Sequence, residues 1–164
     1  MGYSLPAAMG AYIAANKKPI ICIIGDGGIK MNINELETIV KHNLPIKIFV
    51  INNHEFGIIK QFQDVWLDSC YKATCIEGGL GDPDFLKIAN AYGIASCKIS
   101  NHLELREKIR KILNFEGPIL CSIELKSGEK IKPKLEFGKP IEDPAPLIDR
   151  EEFKKNMIIE PVEK

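Results

Sequence analysis

The sequence lacks an excess of charge of either sign. Its 164 residues include 22 lysines and arginines and 22 aspartates and glutamates. Proteins that bind nucleic acid or an acidic membrane surface by electrostatic attraction carry a basic excess, so the composition supports neither function. A chain of this length is large enough to form one domain with a buried core.

The sequence also lacks a long apolar run. No apolar stretch reaches the roughly 18–20 residues that a helix needs to cross a bilayer. The apolar segment Leu5–Ala15 has no basic leader and contains a proline near a helix start, which is not typical of a signal peptide. These features predict a cytoplasmic protein.

A regular cysteine framework is missing as well. The five cysteines are Cys22, Cys70, Cys75, Cys97 and Cys121. Their number is odd, and Cys22 and Cys121 lie inside apolar runs, which favours buried free thiols over disulfides. Cys70 and Cys75 have no second pair of ligands nearby in the sequence, which argues against a zinc site.

The sequence does contain an alternation of short apolar runs with helical patterns. Strands are predicted at Ile20–Ile24, Ile46–Ile51, Ala95–Ile99 and Pro118–Leu125. Helices are predicted at Ser4–Ala15, Ile33–Asn43 and Leu103–Leu113. Ser4 is the predicted N-cap of the first helix, and Asn32 and Glu35 form a predicted capping box before the second. Two further helices are predicted, one that starts within His54–Phe62 and one that starts after Asp82–Asp84. This order predicts an α/β fold, a parallel sheet with helices on both faces.

The ends of the first two predicted strands carry the residues of greatest interest. Gly25–Gly28 (Gly-Asp-Gly-Gly) closes the first strand, and Asn52-Asn53 closes the second. Neighbouring parallel strands would place Asp26 and Asn53 at one carboxyl edge, where doubly wound folds bind ligands. Carboxylate and amide oxygens ligate Mg²⁺, and the turn around Glu55 can add a backbone carbonyl. Glycines here allow N–H groups to approach a phosphate.

The same residues are open to two other interpretations. Asp-Gly and Asn-Asn pairs are common turn formers, so each pair can be a simple turn. A dinucleotide-binding motif would need a third glycine at the position of Lys30 and an acidic residue at the position of Asn52-Asn53. The sequence therefore argues against nicotinamide or flavin binding.

The Gly-Asp-Gly motif that closes with Asn-Asn resembles the thiamine diphosphate signature of enzymes similar to acetolactate synthase and the 2-oxoacid decarboxylases. The resemblance to the acetolactate synthase subgroup covers residues 1 to about 125. It is also carried by Met1–Ala8, Met31-Asn32 with Glu35-Leu36, Asn43–Pro45, Asp82–Phe85 and Ala91–Ile94. It implies a thiamine diphosphate-binding, Rossmann-like fold with one domain at residues 1–126. Residues 127–164 are predicted to form an extended C-terminal tail.

By this resemblance, Asp26, the side chain of Asn53 and the backbone carbonyl of Glu55 ligate Mg²⁺. The cofactor-binding residues it implies are Met1, Gly2, Gly25, Asp26, Gly27, Gly28, Asn53, Glu55, Phe56, Gly57 and Ile58. Met1 and Gly2 fall at the aminopyrimidine end of the cofactor. Ile58 falls near the thiazolium ring, where methionine is usual, and Phe62 falls in the substrate channel, where tryptophan is usual. These two departures argue against biosynthetic acetolactate synthase itself.

The resemblance implies an enzyme that acts on 2-oxo acids by decarboxylation or carboligation. In this family a glutamate on a separate pyrimidine-binding domain activates the cofactor, and the sequence contains no match to that domain or to the strand and helix that normally precede the motif. We therefore expect no catalytic residue in this chain, a C-terminal part of a longer enzyme, a pyrimidine-binding domain or subunit as partner, and a homo-oligomer. A non-catalytic fragment or subunit that binds cofactor only with such a partner is the alternative.

Overall fold

The computed structural model describes residues 1–16 and 18–162. The strands in these residues are β1 (Ile20–Gly25), β2 (Ile46–Asn52), β3 (Ala95–Ile99) and β4 (Ile119–Glu124). The helices are α1 (Ser4–Ala14), α2 (Asp26–Lys30), α3 (Glu35–Lys41), α4 (Gly57–Trp66), α5 (Phe85–Ala91), α6 (His102–Leu113) and α7 (Arg150–Asn156). All four predicted strands are therefore present.

The strands form one parallel sheet in the order β1-β2-β4-β3. Strand β2 lies in its interior, and all but one of its residues are buried. This burial explains why β2 is an almost continuous apolar run, as expected for a parallel strand covered on both faces. The predicted α/β fold with a parallel sheet is confirmed.

Helices cover both faces of the sheet. On the first face, Ile24, Ile48 and Val50 pack in one core with Leu5 of α1 and Phe85 of α5. On the second face, a separate core is formed by Phe49, Ile99, Ile112, Ile119 and Cys121. The side chains of successive β2 residues point to opposite faces, so Ile48 and Val50 belong to the first core and Phe49 to the second.

The second face is less completely covered near β1. Ile21 and Ile23 lie opposite Lys47 and Phe49 in the strand register, but they are 54% and 65% exposed. Strand β1 is an edge strand within the described residues. An apolar area therefore borders this edge of the sheet.

A buried lysine lies at the amino end of β2. Lys47 is only 3% exposed, and its Nζ donates hydrogen bonds to the carbonyl oxygens of Phe115 (2.5 Å) and Gly117 (2.7 Å). Burial lowers the pKa of this ammonium group. The two bonds tie the connection between α6 and β4 to the middle of the sheet.

Two predicted helix caps are wrong. Tyr3 already has helical backbone angles and occupies the N-cap position of α1, so Ser4 lies within the helix. The amide of Asn32 does not cap α3, which begins at Glu35, because its Nδ2 donates to the carbonyl oxygen of Gly2 at 2.5 Å. A contact between residues 30 positions apart takes the place of the local capping box.

One other detail differs from the sequence interpretation. No helix was predicted for Asp26–Lys30, where Gly27 and Gly28 lower the helix propensity. The predicted start of α4 within His54–Phe62 is confirmed. The helix begins at Gly57, because His54 has a positive φ of 59° and Glu55 forms an antiparallel bridge with Cys75. The predicted start of α5 is also confirmed, since Asp84 accepts hydrogen bonds from the first turn of that helix.

The chain divides into two compact units, residues 1–129 and residues from 130 onward. The second unit contains an antiparallel bridge between Lys134 and Ala145 and the short helix α7. Asp149 caps α7, and Arg150 pairs with Asp143. No helix in the part of the chain that the structure describes is long and apolar enough to cross a membrane.

Candidate metal centre

The carboxyl ends of β1 and β2 bring Asp26 and Asn53 together. Gly25, the last residue of β1, lies opposite Ile51 of β2 in the strand register. Asp26 and Asn53 therefore leave the sheet side by side, as the sequence predicts. Asp26 begins α2, whereas Asn53 begins a turn that leads to α4.

Three polar groups converge at this edge. One heavy atom of the Asn53 amide lies 3.1 Å from Oδ1 of Asp26 and 2.9 Å from the carbonyl oxygen of Glu55. If this atom is the amide nitrogen, it donates hydrogen bonds to both oxygens. If it is the amide oxygen, three oxygens face one another, and a cation between them is needed to offset their repulsion.

The spacing suits a small divalent cation. Octahedral Mg²⁺ binds oxygens at 2.0–2.1 Å, which places neighbouring ligand oxygens about 3 Å apart. The two distances to the Asn53 amide match this separation. The donor set of one carboxylate, one amide and one backbone carbonyl also has the hard oxygen chemistry that Mg²⁺ prefers.

The carboxylate of Asp26 is buried and incompletely bonded. The residue is 3% exposed, and its Oδ2 has no hydrogen-bond partner among the residues that the structure describes. Burial raises the pKa of Asp26, although the Gly27 N–H and the charges of Lys30 and His54 act in the opposite direction. Buried carboxylate oxygens normally have partners, so an orphaned oxygen at this place fits a site for a cation.

Glu55 points its carbonyl and its carboxylate to different places. The carbonyl reaches the Asn53 amide, whereas the carboxylate is buried and accepts hydrogen bonds from Lys60 (2.6 Å), Ser127 (2.8 Å) and the Gly128 N–H (2.9 Å). Burial alone would raise the pKa of Glu55, but these donors lower it below its usual value. The carboxylate is therefore held ionised and away from the converging oxygens.

His54 is held between two acidic residues. Its Nδ1 lies 3.0 Å from Asp82, and its Nε2 lies 3.0 Å from Glu124 at the end of β4. Burial alone would lower the pKa of His54, but the hydrogen bonds and charges of Asp82 and Glu124 raise it. The imidazole thus ties the turn after β2 to β4 and to the loop before α5.

Close packing leaves little or no room for a side chain at Gly27, Gly28 and Gly57. A Cβ on Gly27 would lie 2.7 Å from the ring of Phe56, and one on Gly57 would lie 2.9 Å from the Asn53 amide. A Cβ on Gly28 would lie 3.1 Å from Ile24, whereas Gly25 has open space beside it. The absence of side chains lets α2 approach the turn that carries Asn53.

The start of the chain lies beside α2. Gly2 is buried and has a positive φ of 77°, whereas Met1 is 89% exposed. The Gly2 nitrogen is 3.9 Å from the Cβ position of Gly28, and Asn32 holds the Gly2 carbonyl. The residues implied for the two ends of the cofactor are thus neighbours in the fold.

Ile58 and Phe62 lie on an exposed side of α4. They are 62% and 55% exposed, and Phe62 packs against Trp66 with ring centroids 6.3 Å apart. The buried residue of this helix is Gln63, which accepts a hydrogen bond from Thr74 at 2.6 Å. The structure does not bring Ile58 or Phe62 into contact with the converging oxygens.

Sequence reasoning missed Lys30 as part of this region. Its Nζ donates to the carbonyl oxygen of Gly81 at 2.8 Å and lies 5.4 Å from the centroid of the Phe56 ring. Lys30 follows Asp26 by four residues, and on a helix this spacing places two side chains on the same side. The spacing carries this meaning only on a helix, and the sequence does not predict α2.

Comparison with known proteins identifies the family of the chain. The family model described as "Thiamine pyrophosphate enzyme, C-terminal TPP binding domain" matches residues 1–123. The acetolactate synthase large subunit of Cyanidium caldarium is 40% identical over 139 residues, which are 85% of this chain and 23% of that protein. For the acetolactate synthase isozyme 2 large subunit of Escherichia coli (strain K12), identity is 34%, over 84% of this chain and 25% of that protein.

A solved structure shows the same fold. The thiamine diphosphate-dependent 4-hydroxybenzoylformate decarboxylase of Rhodococcus jostii RHA1 aligns with a TM-score of 0.70 and 23% identity, over 79% of this chain and 24% of that one. The chain thus spans about a quarter of the length of these relatives. The family match over most of the chain confirms the resemblance seen in the sequence. The chain belongs to the family of C-terminal TPP-binding domains of thiamine pyrophosphate enzymes, of the acetolactate synthase-like kind.

Proposed function

We propose that this chain holds the diphosphate end of thiamine diphosphate through a Mg²⁺ ion. Its ligands are the Asp26 carboxylate, the Asn53 amide oxygen and the Glu55 carbonyl. The observation that carries the proposal is the convergence of these three groups, at 3.1 Å and 2.9 Å around the Asn53 amide. The buried, unpartnered Oδ2 of Asp26 supports it, because a cation stabilises the ionised carboxylate.

Further residues complete the proposed cofactor site. Gly27 and Gly28 approach the diphosphate, and Met1 and Gly2 approach the aminopyrimidine end. The nearness of Gly2 to Gly28 supports this assignment, because both ends of one cofactor then meet adjacent backbone segments. The remaining proposed contacts are Gly25, Phe56, Gly57 and Ile58.

The proposed reaction is the decarboxylation or carboligation of a 2-oxo acid. Thiamine diphosphate, when bound, supplies the nucleophilic carbon and the electron sink for this chemistry. The role of this chain is to bind and orient the cofactor, with Phe62 lining the substrate channel. The names of its relatives, acetolactate synthases, support the assignment to 2-oxo acids.

The exposed side of α4 favours a second candidate, a chain that binds cofactor only together with a partner. Ile58, Phe62 and Val65 recur at helical spacing and are each more than half exposed, whereas the polar Gln63 is buried. A helix that turns its apolar side outward is typical of a protein interface. We propose that a pyrimidine-binding domain, in a homo-oligomer or on a separate subunit, packs against this side and supplies the activating glutamate.

Calorimetric titration of the full chain with thiamine diphosphate tests the metal-dependent site. We expect binding in the presence of Mg²⁺ and its loss when a chelator removes the metal. Equal binding under both conditions would contradict the assignment of Asp26 and Asn53 as metal ligands.

Adding a separately produced pyrimidine-binding domain distinguishes the two candidates. If cofactor binding and CO₂ release from pyruvate appear only after this addition, the chain is a part that needs a partner. Steady CO₂ release by the purified chain alone would show that it is active without one.

A further inference from the structure

Hydrogen bonds hold both the backbone and the side chain of Glu55, the residue whose carbonyl is a proposed metal ligand. Its backbone forms the antiparallel bridge with Cys75, and the next N–H, of Phe56, donates to the Thr74 carbonyl at 2.9 Å. Its carboxylate is fixed independently by Ser127, Gly128 and Lys60. We call this carboxylate with its three donors the Glu55 clasp.

The clasp has the properties of a positioning device. The carboxylate is 2% exposed, and both of its oxygens accept hydrogen bonds, Oε1 from the Gly128 N–H and Oε2 from Lys60 and Ser127. A buried carboxylate with three donors has little freedom to rotate. Because the same residue presents its carbonyl to Asn53, fixing the carboxylate also fixes the direction of that carbonyl.

Two of the donors come from a distant part of the chain. Ser127 and Gly128 follow Glu55 by 72 and 73 positions and lie beyond the residues that the family model matches, 1–123. The main chain connects them to the end of β4, where the Leu125 N–H donates to the Asn52 carbonyl at 2.8 Å. The segment after β4 therefore contacts both the end of β2, at Asn52, and the turn that follows it, at Glu55.

We propose that Glu55 is a positioning residue of the metal centre and that residues 127–128 set its affinity for the metal through the clasp. The proposal rests on the proposed function, because it assumes that the Glu55 carbonyl is a metal ligand. Groups that orient metal ligands typically change metal affinity by about 10-fold to 100-fold when they are removed. A purely structural Glu55 would stabilise the fold and leave the affinity of the folded protein unchanged.

The test measures metal affinity and folding stability separately on the full chain. Mn²⁺ replaces Mg²⁺ so that free and bound metal can be counted by electron paramagnetic resonance, with thiamine diphosphate present. The variants are Glu55→Gln, which weakens the acceptor and removes its charge, and Ser127→Ala, which removes one donor. The matched controls are Glu107→Gln, in the exposed pair with Lys111, and Ser96→Ala, whose hydroxyl bonds Asn90. Thermal unfolding of each variant is recorded without metal.

We expect Glu55→Gln to weaken Mn²⁺ binding by at least about tenfold. Ser127→Ala is expected to weaken it by about threefold, as for the loss of one hydrogen bond. Both controls should bind Mn²⁺ as the unmodified chain does. If Glu55→Gln does not fold, Ser127→Ala compared with Ser96→Ala decides the question.

Two different failures are distinguishable. If Glu55→Gln and Ser127→Ala unfold at lower temperature but bind Mn²⁺ normally, the clasp is only structural and the metal site stands. If the unmodified chain itself binds no Mn²⁺ in the presence of thiamine diphosphate, the proposed metal site is wrong, and the clasp has no carbonyl ligand to position.

Discussion

Two charged side chains at opposite ends of the sheet, Lys47 and Asp26, are buried with opposite results. At the amino end of β2, Lys47 is 3% exposed and donates to two carbonyl oxygens. At the carboxyl end of β1, Asp26 is equally buried, but its Oδ2 has no hydrogen-bond partner. Burial shifts the pKa of each group in the direction that favours its neutral form. Among the described residues, Lys47 Nζ has two hydrogen-bond acceptors, whereas one oxygen of Asp26 has no partner.

This difference in hydrogen bonding suits a structural role for Lys47 and the proposed metal-binding role for Asp26. A buried charge with its hydrogen bonds made joins parts of the fold, as Lys47 joins β2 to the connection before β4. The incompletely bonded carboxylate of Asp26 fits the proposed cation site, because an unpaired buried carboxylate destabilises the fold and a cation would offset its charge. The comparison predicts that a substitution of Asp26 mainly changes ligand affinity, whereas a substitution of Lys47 mainly changes the free energy of unfolding.

The largest expected effect is on ligand binding at the carboxyl end. Asp26→Asn removes the one charged group of the three proposed metal ligands. We expect the Mg²⁺-dependent affinity for thiamine diphosphate to fall by at least about 100-fold, measured by calorimetry. Asp68→Asn, in an exposed loop, is the matched control and should bind normally. Unchanged affinity in Asp26→Asn would show that the Asp26 carboxylate is not a metal ligand.

At the amino end the expected effect is on stability. Lys47→Met leaves the carbonyl oxygens of Phe115 and Gly117 without their donor, so we expect the free energy of unfolding to fall by about 1–3 kcal/mol. Urea unfolding measures this change, with the exposed Lys111→Met as control. Metal affinity of the folded protein should not change. A loss of metal affinity without a loss of stability would show that Lys47 is not simply structural.

A smaller effect of opposite sign is expected from Asp26→Asn in the metal-free chain. Because folding raises the pKa of Asp26 above its usual value of 3.8, the ionised carboxylate destabilises the folded state at neutral pH. We expect the substitution to raise the free energy of unfolding by about 1 kcal/mol there.

The gain should disappear as the pH falls. Below the usual pKa of 3.8, Asp26 is protonated in both the folded and the unfolded chain, and the difference between the proteins vanishes. Urea unfolding in the presence of a chelator, from neutral to acidic pH, measures the change. A variant that is less stable at neutral pH would show that the Asp26 carboxylate has partners in solution.

The smallest expected effect concerns His54, a group at the carboxyl end that does have its partners. Its pKa is raised above 6.5 by Asp82 and Glu124, so its stabilising contribution is complete below pH 6.5 and is lost as the pH rises through the folded-state pKa. We expect His54→Gln to lower the free energy of unfolding by about 1 kcal/mol below that pH and by less above it. His102→Gln, at the exposed start of α6, is the control. An effect independent of pH would mean that these ion pairs do not stabilise the turn.

Much of the sheet could be predicted because its signals are local. The apolar runs of β1 and β2 end in Asp26 and Asn53, and parallel pairing alone places those ends together. The predicted cap of α5 by Asp84 is likewise a contact between neighbours in the sequence. These features depend on strand periodicity and capping chemistry, which a single sequence contains.

The remaining features depend on contacts between distant residues. Asn32 matches a capping box, yet its amide bonds Gly2, because the fold brings the first residues beside α2. No spacing rule connects Glu55 with Ser127, 72 positions later. The outward apolar side of α4 could not be recognised either, because a helical pattern does not show which side faces the protein.

The order of these contacts along the chain has a consequence for folding. The three proposed metal ligands are complete once residue 55 has been synthesised, whereas Ser127 follows 72 positions later. Closing a longer loop carries a larger entropy loss, and distant contacts form late. We therefore expect a nascent chain to display the whole ligand set on a loosely held turn before the clasp closes. A metal ion present during synthesis would then meet a flexible site first, and the segment after β4 would fix its geometry afterwards.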